Sequence, residues 1–454
     1  MWRKKIFPPL ALPIYCFAVA ILLGAGMLCL PISCTGKTVS FIDALFTATS
    51  AACVTGLTVV DTGATFTRFG QTVILMLIQL GGLGIMTFSS LLFFLWRRRI
   101  SLTDHIAVGQ SLLKDPTFHL GRFLTSMVAT TFVIESTGAL ALFLFDPTGF
   151  SPYSAVFHAI SAFCNAGFGL FPDNLVGYVG HAGVNLVIVW LIVAGGLGFH
   201  VLIECYSVGR ERLFKRSGHA AKPRLSWYTK IVLNTSLFLI VAGLVLIWFA
   251  EFTSGRYTLN LFEQFLAALF QSVTCRTAGF NTLDIGRMGD ASLAIMVVLM
   301  FIGGSPGSCA GGIKTTTFRA LLAFSKAEML GRKQAVIGKF ALDAGTVNRA
   351  LTLTIFAAAL VFCSTLIMCF SEGATSPGAV AHIRFLEILF EVVSAFGTVG
   401  LSTGITPSLT MTGKLLITAL MFIGRLGPIL FLSFLQGFQE PLRFKWSEKS
   451  MLIG

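Results

Sequence analysis

Phe46-Thr47-Ala48-Thr49-Ser50-Ala51-Ala52-Cys53-Val54-Thr55-Gly56-Leu57 is a short apolar run that stops at a glycine-containing turn. It is too short to cross a bilayer, which takes about 20 residues of helix. The same layout returns three times. Phe157 to Cys164 leads into Asn165-Ala166-Gly167-Phe168, and Phe270 to Cys275 leads into Arg276-Thr277-Ala278-Gly279-Phe280. Phe390 to Phe396 leads into Gly397-Thr398-Val399-Gly400-Leu401. In the first, second and fourth runs the phenylalanine stands ten residues before the glycine, and Ser50, Ser161 or Ser394 stands six before it. The third run is one residue shorter. A second signature follows each run. Gly81-Gly82-Leu83-Gly84, Gly195-Gly196-Leu197-Gly198, Gly303-Gly304 and Gly424-Arg425-Leu426-Gly427 begin 24 to 28 residues after the turn glycine. Two motifs recurring in the same order at nearly constant offset define internal repeats.

Working outward, each short run lies between two long apolar runs. The first of each pair lies near 10–31, 123–145, 229–250 and 350–371, and the second near 70–96, 184–208, 291–325 and 414–437. All eight are long enough to span about 30 Å of hydrocarbon. The repeats then cover 1–102, 103–224, 225–335 and 336–454. The expected fold is an all-α polytopic membrane protein: four helix–pore-helix–helix repeats, with eight spanning helices and four re-entrant pore helices, around a central pore. Composition agrees. Of 454 residues, 55% are hydrophobic and 12% charged, about half the charge of a soluble domain. A water-soluble enzyme and a disordered chain are excluded. So is a transmembrane β-barrel, whose strands alternate polar and apolar residues.

The net charge of +13 suggests nucleic-acid binding until the basic residues are placed. Most lie on the side holding the N-terminus, in Arg97-Arg98-Arg99 and in the 210–230 and 319–349 stretches. The positive-inside rule puts that side, and both termini, in the cytoplasm. The basic excess reads as topological, with no nucleic-acid partner and the lipid bilayer as solvent. Each repeat has two crossings, so all four are parallel about an axis along the membrane normal. The basic N-terminus before the first long run reads as a retained helix rather than a secretory signal, because the run exceeds the usual signal core. The ten cysteines lie mostly in or beside apolar runs without Cys-x-x-Cys spacing, as buried thiols do. The seven scattered histidines offer no metal-ligand spacing.

A re-entrant turn inside a membrane exposes backbone carbonyls that lipid cannot satisfy, so it must face protein or a water-filled path. Four such turns at equal depth make rings of carbonyl oxygens able to replace the hydration shell of a monovalent cation. The candidate cation-binding residues are Val54, Thr55 and Gly56; Asn165, Ala166 and Gly167; Thr277, Ala278 and Gly279; and Thr398, Val399 and Gly400. Asp43, Asp61, Asp173, Asp284 and Glu387 flank the short runs and are expected to make the outer mouth negative. The alternative reading is that these glycines only pack helices. That reading is preferred for the paired glycines of the second long runs. The turn glycines follow helices too short to span and precede polar residues such as Asn281, Ser402 and Thr403.

With these strings in hand the chain resembles the Trk/Ktr/HKT superfamily of cation transporters, and within it the membrane subunit (KtrB-type) of bacterial Ktr systems. The resemblance covers essentially the whole chain, and Arg276-Thr277-Ala278-Gly279-Phe280-Asn281 is its most specific string. The first repeat begins almost at once, as in Ktr rather than Trk members. The family's filter carries glycine or serine at its first turn position, and serine there goes with sodium permeation. Glycine at 56, 167, 279 and 400 therefore implies potassium selectivity. The resemblance further implies a homodimer with one pore per protomer, placed in the cytoplasmic membrane. It implies a cytosolic nucleotide-binding regulatory ring (KtrA-type) docked on the inner face. No cofactor belongs to the chain itself. Potassium is substrate, and sodium as activator is a Ktr trait that no residue here demonstrates.

The second long run of repeat three breaks at Gly303-Gly304-Ser305-Pro306-Gly307-Ser308-Cys309-Ala310-Gly311-Gly312. Glycine costs ~1 kcal/mol and proline ~3 kcal/mol in a helix interior, so this stretch forms an irregular loop, and at that depth it must line a cavity. In the family the matching loop lies below the filter and acts as its gate, and Cys309 stands where threonine is commoner. Gly311-Gly312-Ile313-Lys314-Thr315 invites a phosphate-loop reading, but Ile313 separates glycine from lysine in an apolar helical context. Lys314 and Arg425 are intramembrane charges that should face the interior near the loop. Arg425 is expected to place a positive charge below the filter and to hydrogen-bond loop carbonyls; the alternative is a snorkelling arginine. In the family the corresponding arginine forms part of the pore constriction. Glu135 stays unassigned. Three rival readings stay open: a carrier rocking around a midplane site, a sodium-permeable or sodium-coupled member of the same superfamily, and a membrane enzyme. The last would need clustered catalytic-type side chains that the long runs lack.

Overall fold

A computed structural model describes residues 12–36, 38–83, 120–214, 224–253, 257, 259–373 and 384–427. The Arg97-Arg98-Arg99 run, Gly84 and both termini, on which the orientation reading leans, lie outside the described residues. Helix α1 (Leu12–Leu28), the short α2 (Phe41–Ala52) and α3 (Arg68–Gly82) come first. Next come α4 (Leu120–Phe145), the short α5 (Pro152–Phe163), α6 (Ala182–Leu197) and α7 (Phe199–Phe214). They are followed by α8 (Trp227–Phe252), the short α9 (Leu261–Thr274), α10 (Asp290–Phe301) and α11 (Thr315–Met329). The series closes with α12 (Ala344–Gly373), the short α13 (Phe385–Gly397) and α14 (Met411–Leu426). A small antiparallel hairpin, β1 (Val336–Ile337) with β2 (Phe340–Ala341), sits between α11 and α12.

The short helices start where side chains can cap them. Ser40, Ser151 and Asn260 accept the amide three residues on, at Asp43, Ser154 and Glu263, which satisfies a donor left over at every helix start. Each short helix packs on the long helix before it. Each second long helix also packs on the short helix of the next repeat: α3 on α5, α6 on α9, α10 on α13, and α14 back on α2. The succession closes into a ring. The recurring phenylalanines explain why the short helices stay inside it: Phe46, Phe157, Phe270 and Phe390 are all fully buried. Outside, Leu22, Leu23, Phe132, Leu237, Phe238 and Phe362 are exposed on α1, α4, α8 and α12, an apolar belt that suits lipid.

By length and composition, three described helices can cross a membrane unbroken: Thr125–Phe145, Trp227–Phe252 and Ala344–Glu372. The run expected at 184–208 is not one helix. It bends by 105° between α6 and α7 at Gly198, whose φ is +89°. The reason lies in another repeat. The Phe199 amide donates to the Gly307 carbonyl at 3.3 Å, and a side chain at Gly198 would press on the Pro306 carbonyl. Helix α6 ends where the loop of repeat three occupies its path.

The paired glycines let the second long helices touch the short ones. A Cβ at Gly81, Gly195 or Gly424 would land on the carbonyl oxygen of Ala52, Phe163 or Phe396. Gly195→Ala is accordingly expected to destabilise the protein by ~1–3 kcal/mol through overpacking, read as a lower thermal midpoint in detergent; an unchanged midpoint would show that α5 can give way.

Candidate functional site

The four glycine turns meet. The Cα of Gly167 lies against those of Gly56 and Gly279, and that of Gly400 against Gly279 and Gly56. A Cβ at Gly56 would sit 2.5 Å from the Ala166 carbonyl oxygen, at Gly167 2.7 Å from that of Ala278, and at Gly279 2.6 Å from that of Val399. At Gly400 it would fall on the Thr55 carbonyl, closing the circuit. Any side chain at these positions would fill the middle of the ring.

The backbone there has one unusual geometry repeated four times. Val54, Asn165, Thr277 and Thr398 have φ of 55°, 60°, 69° and 49°, and the glycines two residues on have φ of 97°, 70°, 81° and 92°. The residue between each pair, Thr55, Ala166, Ala278 or Val399, is not among the residues of positive φ. Left-handed backbone is a true outlier for Val and Thr, and such strain persists only where the surroundings over-determine it. Here the short helices do so. The Thr55 amide donates to Ser50 O at 2.8 Å, Ala166 to Ser161 O at 2.7 Å, Ala278 to Thr274 O at 3.0 Å and Val399 to Ser394 O at 2.8 Å.

The serines six before the glycine add side-chain bonds. Ser50 and Ser394 Oγ accept the amides of Gly56 and Gly400, each at 3.1 Å, and Ser161 Oγ donates to Phe168 O at 2.8 Å. In the shorter third run Thr274 stands in, donating to Phe280 O at 2.6 Å. With the amides so engaged, the carbonyls of Thr55, Ala166, Ala278 and Val399 face the ring and accept no hydrogen bond among the described residues. Each short helix also ends at the ring, so four partial negative charges of the helix C-termini point at it. The arrangement is suited to holding a dehydrated cation.

Below the ring lies the glycine-rich loop. Gly311 abuts Thr398 and the Gly397 carbonyl, and Gly312 faces Gly303 and Gly397. Gly303 and Ile313 tie the loop's ends together, the Gly303 amide donating to Ile313 O at 2.9 Å. The rest is held from the other three repeats. The Ser305 and Cys309 amides donate to the Gly196 and Gly195 carbonyls at 3.1 and 3.3 Å. Cys309 Sγ approaches Gly82 O at 3.2 Å. Arg425 donates to the carbonyls of Cys309 and Gly81. Lys314 Nζ donates to Ala310 O at 2.6 Å, and Ser308 Oγ to Ser305 O at 2.7 Å. Lys314 and Arg425 both serve carbonyls and meet no acid in these contacts.

Sequence reasoning undervalued the paired glycines. Besides packing, those of repeats one and two present the carbonyls that hold the loop. The signal was available: Arg425 interrupts the signature only in repeat four. Glu135 also finds partners. Gln79 Nε2 donates to it at 3.2 Å, and Cys164 Sγ lies 3.8 Å from it and 3.5 Å from Gln79 Oε1. These three tie α3, α4 and the end of α5 beside Gly82. All ten cysteines are free thiols.

The outer mouth is less negative than the sequence suggested. Asp43 pairs with Lys414 at 2.7 Å, Asp284 with Arg287 at 3.1 Å and Glu387 with Arg384 at 3.9 Å. Asp61 caps a single helical turn through the Ala64 amide at 2.9 Å. Further out, hydrogen bonds from Thr148, Gly149 and Tyr178 hold the Asp146 carboxyl at about 2.

A closed ring of four glycine turns over a glycine-rich loop is an arrangement suited to a cation-transport protein. The chain matches the family model of the TrkH cation transport proteins over residues 20–434 and belongs to that family. Among known relatives it is 42% identical to the Ktr system potassium uptake protein B of Bacillus subtilis, across 97% of this chain and 96% of that one. It is 36% identical to the potassium/sodium uptake protein NtpJ of Enterococcus hirae, across 99% and 98%. The crystal structure of the potassium transporter TrkH from Vibrio parahaemolyticus shares the fold, with a TM-score of 0.72 at 18% identity over 94% of this chain and 84% of that one. The protein is therefore a membrane transporter and not an enzyme.

Proposed function

We propose that this chain takes up potassium through a channel-like path, driven by the membrane potential, which favours an inward cation by ~2.3 kcal/mol per 100 mV. One observation carries the reading: the circuit in which each turn glycine faces the next repeat's carbonyl. In this reading the four parallel repeats enclose the pore and the residues around Gly56, Gly167, Gly279 and Gly400 form its selectivity filter. The loop from Gly303 to Gly312, with Lys314 and Arg425, is the gate. The protein acts as a homodimer in the cytoplasmic membrane with both termini inside. A cytosolic nucleotide-binding ring opens the gate. Potassium and sodium flux through purified protein in liposomes, with and without that partner, tests the whole. Potassium flux that rises with the partner supports it; carrier-slow exchange would refute it.

A sodium-permeable or sodium-coupled cation symporter is the second reading, favoured by the similarity to a protein named for both ions. The same flux assay with sodium alone separates the two. Arg425→Ala is expected to raise partner-free leak, because it frees the Cys309 carbonyl and hence the loop. If only protein yield falls, the arginine is structural.

A further inference from the structure

Directly after its recurring phenylalanine, each short helix carries a polar residue: Thr47, His158, Gln271 and Glu391. All four are buried. They stand on the helix behind the ring strands rather than in the ring. Two of them reach across to the segment that leaves the ring. Glu391 accepts the Thr403 amide at 3.2 Å and the Thr406 hydroxyl at 3.0 Å, and it also accepts the Ser402 hydroxyl. His158 Nδ1 donates to Ser154 O at 2.7 Å, which leaves Nε2 as an acceptor. Nε2 takes the Leu170 amide at 3.3 Å. Thr403 and Leu170 occupy the same place, three residues beyond Gly400 and Gly167. Unrelated side chains thus make one bond in two repeats.

The other two repeats lack it. The Thr47 hydroxyl donates to Asp43 O at 2.8 Å within its own helix. The Gln271 amide makes no hydrogen bond among the described residues.

We infer that Glu391 and His158 are positioning residues for ion discrimination, bracing the outer limbs of the fourth and second ring strands from behind. This rests on the filter reading above. A carbonyl ring favours the larger ion only while its strands cannot move inward. The serine and threonine bonds hold the inner limbs. On the outer side, the brace to Thr403 and Leu170 stops the strand from following a smaller ion. Glu391 holds most firmly, because it accepts three bonds from one segment, at Ser402, Thr403 and Thr406.

The experiment compares potassium-over-sodium permeability ratios of the full chain in liposomes. Glu391→Gln keeps the volume but turns a donor toward a set of donors; it is expected to lower the ratio about tenfold, equivalent to ~1.4 kcal/mol. His158→Phe keeps a ring in the Phe150, Phe157 and Phe171 cluster and loses the acceptor for Leu170 together with the bond to Ser154 O inside its own helix; it should lower the ratio in the same direction. Thr47→Val, in an unbraced repeat, should leave it unchanged. Should Glu391→Gln fail to fold, Ser402→Ala with Thr406→Val removes donors from the opposite side. Unchanged ratios in the Glu391 (or Ser402/Thr406) and His158 variants, or an equal fall in Thr47→Val, would overturn the brace. No potassium flux in the unsubstituted protein would overturn the filter reading itself, and the brace with it.

Discussion

Gly279→Ser is expected to cut potassium-over-sodium discrimination by about tenfold or more, with protein yield little changed. Two physical terms act at once. The position has φ +81°, and a left-handed non-glycine residue costs ~1–2 kcal/mol. Its Cβ would lie 2.6 Å from the Val399 carbonyl and 3.0 Å from the Cα of Gly167, so neither neighbouring strand can keep its place. The ring must widen or tilt, and the added hydroxyl supplies an oxygen of different reach. Both changes act on the atoms read as replacing water around the ion. Permeability ratios from reversal potentials measure the effect. An unchanged ratio would remove these glycines from the selectivity mechanism.

Deleting Ser305–Gly311 should raise flux in the absence of any partner, by about 5–150-fold if the loop carries the ~1–3 kcal/mol typical of allosteric coupling. The loop is well placed for such a bias. Its Gly311 presses against Thr398 under the ring, and it is bonded to the Gly195, Gly196 and Gly82 carbonyls of two other repeats. It also contributes the Cys309 carbonyl to Arg425 of a fourth. A small change in any repeat therefore reaches it. The measurement is partner-free flux beside a folding check by size-exclusion profile. A folded variant with no flux would show that the loop builds the path rather than closing it.

How far the sequence alone reaches depends on whether a residue acts inside its own repeat or across repeats. Gly56, Gly167, Gly279 and Gly400 were legible because one geometry recurs four times, and recurrence separates signal from chance. Ser50, Ser161 and Ser394 showed in the spacing, though not their task of engaging amides so that carbonyls turn inward. Arg425 stood out because a charge in an apolar run demands a partner. Gly198, Gln79 and Glu135 were opaque, since each is explained only by a neighbour from another repeat. Among the outer acids, Asp43 misled for the same reason. Lys414 is remote from Asp43 in the chain yet lies 2.7 Å from it.

Run lengths and the recurrence of the short glycine-ended runs pointed, from the sequence alone, to a helical membrane protein. Only the tertiary structure decided that the turns close head to tail into one ring. It also decided that the loop of repeat three is held by the other three repeats. Hydrophobic periodicity reports which residues avoid water, not which of several equivalent partners they meet. That choice is made by close packing, where one absent Cβ admits one particular carbonyl.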